Sequence, residues 1–102
     1  MTDKENNRAL GELSVALSRT DDPELILNFL RSILTEYELT EVAARWALVR
    51  LIDDGSTQRN IAKDLGLSLC KITRGSKELK KDNSAFARMI ELYKESIQRS
   101  RP

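Results

Sequence analysis

The stretch from Leu65 to Leu79, LGLSLCKITRGSKEL, sets an arginine beside a glycine in what reads as the interior of a helix. Glycine costs a helix interior about 0.8–1 kcal/mol relative to alanine, so the position needs a compensating reason. Removing a side chain from the inner face of a helix leaves a hollow between that helix and its support. A planar ligand can fill it, and Arg74 beside it can hold a carboxylate through a forked pair of hydrogen bonds while stacking on an aromatic face. The alternative is that another helix packs closely over Gly75 and Arg74 merely touches phosphate. Both remain open on these residues alone.

The same stretch completes a helix-turn-helix over about residues 57–80. Ala62 is small where two helices cross, Gly66 supplies a left-handed turn, and Ile61, Leu65, Leu67 and Ile72 recur inward at helical spacing. Between residues 58 and 81 seven bases face only Asp64 and Glu78, a local positive patch suited to phosphates. In such a unit the second helix enters the major groove of double-stranded DNA with its first residues, here Leu69, Cys70, Lys71 and Thr73. Gln58, Arg59, Lys80 and Lys81 are placed to hold phosphates, which positions a protein without reading sequence. Cys70 reads as a small apolar contact.

Other chemistries are poorly supplied. The chain has no histidine and one cysteine, so it lacks an imidazole base, an internal disulfide and a common metal-site spacing. No enzymatic activity, metal or cofactor is expected. There is no apolar run of membrane-spanning length, and the opening MTDKENNRALGEL is too polar for a signal peptide, so a cytoplasmic protein is expected.

The elements that must position these residues are helical throughout. Leu10, Leu13 and Leu17 mark a first helix ending near Arg19, with the first few residues frayed. Asp22-Pro23-Glu24 starts a second, which runs to about Leu34 and is apolar on more than one face. Thr35 and Glu38 form a capping box for a long third helix on Leu39, Val42, Trp46, Val49 and Ile52, with Trp46 in the core, stopped by Gly55. Thr57 caps a fourth helix to Leu65, Ser68 a fifth to about Lys80, and Asn83-Ser84 opens a sixth on Phe86, Met89, Ile90, Tyr93 and Ile97. The expected fold is all-α, one six-helix domain over residues 1–102. A domain of 102 residues buries only ~60–65% of its unfolded surface, which makes a lone monomer marginal and a homodimer expected.

At ITRGS, Ile72 to Ser76, the residues become specific. Together with Leu34-Thr35, Arg45 ten residues beyond that threonine, and Gln58-Arg59, they make the chain resemble the bacterial tryptophan repressor family from about Ser32 to Lys80. The resemblance implies an intertwined homodimer in which L-tryptophan wedges between the dimer core and each reading head. It implies that Arg74 holds the ligand carboxylate and covers one indole face, and that Arg45 from the partner chain's third helix covers the other. Thr35 would lie near the carboxylate, the backbone carbonyls of Ser32 and Leu34 would take the ammonium, and Gly75 would give the ring room. The chain departs from the family in having Glu78 where a small hydroxyl residue stands near the ligand ammonium, which makes Glu78 a candidate to accept from that ammonium or to pair with Arg74, and in having Ala62 in place of a DNA-contacting lysine and one residue fewer between Gly55 and Thr57.

The function implied is a DNA-binding transcriptional repressor with L-tryptophan as corepressor. Two other functions fit the residues without the resemblance. One is a helix-turn-helix protein that binds DNA with no ligand, and the other is a helical module whose basic face meets an acidic protein.

Overall fold

Side-chain oxygens set where the helices begin. The Thr2 hydroxyl accepts from the Glu5 amide at 3.1 Å, Asp22 from Glu24 at 3.0 Å, Thr57 from Asn60 at 3.2 Å and Ser68 from Lys71 at 3.4 Å, each satisfying a donor that has no partner inside its helix. A computed structural model describes residues 1–100, and the described residues form six helices and no strand. These are α1 (Asp3–Ser18), α2 (Pro23–Ile33), α3 (Glu36–Asp53), α4 (Gln58–Leu65), α5 (Leu69–Lys80) and α6 (Ala85–Ser100). The N-terminus differs from the frayed end expected of it, because the Thr2 cap carries α1 back to Asp3.

The chain divides into two compact units, Met1–Leu39 and Thr40–Pro102. In the first, α1 and α2 contain no buried residue, and Leu10, Val15, Leu25 and Ile33 each keep more than half of their surface exposed. The α2–α3 turn is closed by the capping box, in which Thr35 N–H donates to Glu38 at 2.9 Å and the Glu38 amide donates to the Thr35 hydroxyl at 3.1 Å. The backbone amide and then the hydroxyl of Thr35 hold the Glu38 carboxyl below its ordinary value of 4.5. Its contribution to stability is therefore complete above that value and lost as pH falls through the lowered one. Thr35→Val is expected to cost about 1 kcal/mol at neutral pH as a lost cap. Melting curves taken between neutral and strongly acid pH should show that the Glu38→Gln chain lacks this acid-side loss.

The second unit is built on Leu48, Ile61 and Ile72, with Leu51, Ile52, Ala62, Leu65 and Leu67 packed around them. Ile61 and Ile72 are fully buried, each contributing on the order of 1.5–3 kcal/mol relative to exposure. They join α4 to α5 across Gly66, whose φ of 64° is the left-handed conformation that ends α4. Ser84 links the next corner by donating to the Glu78 carbonyl at 2.9 Å while accepting from the Ala87 amide at 3.1 Å. Trp46 is half-buried where a core position was expected. It stacks on Phe86 at 5.7 Å between ring centroids and meets the edge of Tyr93 at 6.3 Å. Lys94 of α6 pairs with Asp53, which raises the amine's pKa.

Candidate ligand cavity and reading face

Helical spacing puts Glu41, Ala44, Arg45, Leu48 and Val49 along one side of α3, and Lys71, Arg74, Gly75 and Glu78 along one side of α5. Together with Leu67 and Phe86 they line a cavity of about 340 Å³, near the small end of the ~300–1,000 Å³ typical of ligand pockets. Its walls are largely aliphatic and aromatic, with charged groups along them. Among the described residues no acid pairs with Arg45 or Arg74. Both acids in the lining do have partners, Glu41 with Lys71 at 3.5 Å and Glu78 with Lys81 at 2.8 Å. Two uncompensated guanidiniums beside apolar walls make a receptor for a carboxylate attached to a flat apolar body.

The structure brings Arg45, Arg74, Gly75 and Glu78 to this one cavity. The resemblance assigns Arg45 to the partner chain's side of the ligand; within one chain it lines the same cavity as Arg74. Ser32, Leu34 and Thr35 lie in the first unit. Ser32 is in the last turn of α2, where carbonyls lack an intrahelical donor, and Leu34 is its C-cap. The Thr35 hydroxyl accepts a capping hydrogen bond from the Glu38 amide and also helps to hold the Glu38 carboxyl.

Gly75 has more than one neighbour to accommodate. A Cβ built there would lie 3.1 Å from Leu48 Cδ2 and 3.3 Å from Val49 Cγ2, so α3 does pack over the glycine, while Gly75 also opens onto the cavity. Gly75→Ala gains up to about 1 kcal/mol in helix propensity but forces these side chains to move. Both line the cavity, and the space available to them is the ligand's. The expected outcome is a melting temperature close to that of the parent, with calorimetry showing ligand binding weakened several-fold.

On the other side of α5, Leu69, Cys70, Thr73, Arg74 and Lys77 line a shallow depression, so Arg74 borders both surfaces. Gln58, Arg59, Leu69, Cys70, Thr73 and Lys80 are all exposed, as a reading face requires. Two of the expected DNA contacts are otherwise engaged. The Lys71 amine turns back to Glu41 of α3, and the Lys81 amine is taken by Glu78 one turn earlier, because long flexible cations reach whichever carboxylate lies nearest. Lys77 was not singled out, although it stands four residues after Thr73 and so shares its helical face. The cavity contributions of Glu41, Leu48, Val49 and Phe86 carry no local sequence signal.

Among the described residues no group of histidine, cysteine or acidic side chains is placed to hold a metal, and no helix is long and apolar enough to cross a membrane. Comparison with known proteins matches residues 8–94 to the family model described as Trp repressor protein. A Trp operon repressor homolog of Chlamydia caviae is 32% identical over 91 residues, covering 88% of this chain and 90% of that one. The protein of the same description in Xylella fastidiosa (strain M23) is 38% identical over 65 residues, 63% of this chain and 67% of its own. That of Chlamydia trachomatis serovar D is 31% identical over 75 residues, 72% and 80% of the two chains. No significant match is found among solved structures.

Proposed function

The chain belongs to the Trp repressor protein family, whose members regulate transcription rather than catalyse reactions, and from that premise we propose that it represses transcription when L-tryptophan occupies the α3–α5 cavity. The observation that carries the proposal is the pair of unpaired arginines, Arg45 and Arg74, on an apolar cavity beside Gly75. Arg74 holds the ligand carboxylate by its fork, and the indole lies against Leu48, Val49 and the two guanidinium planes. Following the family's pattern, Thr35 stands near the ligand carboxylate, and the carbonyls of Ser32 and Leu34 accept from the ammonium at the negative end of α2.

Residues 1–102 act in this proposal as a single tryptophan-repressor-like domain in the cytoplasm, and two chains work together. The apolar residues that α1 and α2 leave exposed in one chain are surface that a second chain can cover. A pair of reading helices then meets successive major grooves about 34–36 Å apart. Leu69, Cys70 and Thr73 approach base edges, while Gln58, Arg59, Lys77 and Lys80 hold phosphates. Arg74 connects the two events because it borders both the cavity and the reading face. The ligand acts as a switch only through a difference in affinity between DNA-competent and incompetent arrangements.

Titration of the full chain with L-tryptophan by calorimetry tests the proposal. Saturable binding to a single site per chain is expected. Absence of binding at millimolar ligand would leave a DNA-binding protein or an interaction module with no corepressor.

A further inference from the structure

A zwitterionic amino acid brings an ammonium as well as a carboxylate, and the ammonium needs acceptors once it leaves water. The two acids lining the cavity differ in their ability to supply one. Glu78 is held at 2.8 Å by Lys81, the C-cap of its helix, a full charge-assisted hydrogen bond. Glu41 is less exposed, with 26% of its side chain accessible, and its partner Lys71 stands at 3.5 Å, beyond ordinary hydrogen-bond length, reaching across from α5 to α3. At that length the contact is an ion pair without a hydrogen bond, so an ammonium donating directly to Glu41 satisfies the carboxylate better than Lys71 does. Lys71 occupies the first turn of α5, between Cys70 and Thr73 on the helix that would read DNA.

We propose that Glu41 accepts the ammonium of the bound amino acid, and that this releases Lys71 from α3 so that its amine joins the phosphate-facing cations of the reading helix. The inference rests on the tryptophan proposal and deepens it, because the cavity would then sense an α-amino acid rather than any indole carboxylate. An ammonium has three donors, so Glu41 need not be its sole acceptor. Once the ligand meets the charge of Glu41, little holds the Lys71 amine towards α3, and a phosphate becomes its stronger partner. Ligand binding thus favours the DNA-competent arrangement, and DNA in turn favours the ligand by the same factor.

The test uses the full chain with two probes, L-tryptophan and indole-3-propionate, which keeps the ring and carboxylate but has no ammonium. Glu41→Gln is expected to weaken L-tryptophan binding roughly 10-fold or more and to change indole-3-propionate by less than about 2-fold. Lys71→Met should tighten L-tryptophan, having removed the competitor, and leave indole-3-propionate unchanged. With L-tryptophan present, Lys71→Met should also lower the salt dependence of duplex binding by about 0.9 in log–log slope per lost phosphate contact. If the parent chain binds neither probe, the corepressor proposal itself fails. If it binds both and Glu41→Gln leaves their ratio unchanged, the corepressor proposal stands and the role of Glu41 is overturned.

Discussion

Replacing Arg74 with leucine should abolish L-tryptophan binding in a chain that keeps its helical content. The lost interaction is a forked, charge-assisted contact to a carboxylate in a partly desolvated cavity, worth about 2–4 kcal/mol, or roughly 30- to 1,000-fold in affinity. Folding should be spared because Arg74 makes no ion pair among the described residues, and α5 is anchored through Ile72 and Gly75 instead. Leucine is also a good helix former. Arg45→Leu should cost less, about 0.5–2 kcal/mol, if its contribution is a guanidinium plane stacked on the ring. Calorimetry on both variants, with circular dichroism as a check of folding, tests this order. Undiminished affinity in Arg74→Leu would take the carboxylate fork out of the site.

Much of this arrangement was legible because the signals are local. Thr35 with Glu38, Thr57, Gly66 and Ser68 act within a few residues of themselves, so their spacing alone fixes where α3, α4 and α5 start or stop. Gly75 was legible only as a question. That Leu48 and Val49 press against it depends on how α3 crosses α5, a tertiary fact that no local pattern encodes. The long charged side chains were the least legible. Glu41 and Lys71 are thirty residues apart and meet only through the fold, while Glu78 lines the cavity and also pairs with Lys81. The buried side of α3 shifted for a related reason. Val42 belongs to the apolar repeat but remains exposed in the single chain, whereas Leu48, outside that repeat, is buried against the helix-turn-helix.

Duplex binding should be the most salt-sensitive property of the protein. Among the described residues Arg59, Lys63, Lys77 and Lys80 have no acidic partner, so their charges are available to phosphates. Two chains offering about eight such contacts would release a similar number of counterions, which corresponds to a loss of roughly 10³–10⁵ in affinity between about 50 and 200 mM salt. Lys80→Ala, by removing one contact from each chain, should weaken binding to all duplexes alike and flatten the slope by about 1.8. Thr73→Ala should leave the slope unchanged and alter preference among sequences, because in the proposed docking its side chain faces the groove rather than the backbone. L-Tryptophan should raise affinity for a specific duplex far more than for random DNA, since in the proposed mechanism it sets the spacing of the reading helices and only a matched site rewards that spacing. A steep salt slope with equal binding in the presence and absence of L-tryptophan would identify a DNA-binding protein without a corepressor. A flat slope would mean that the basic face of α4 and α5 meets something other than nucleic acid.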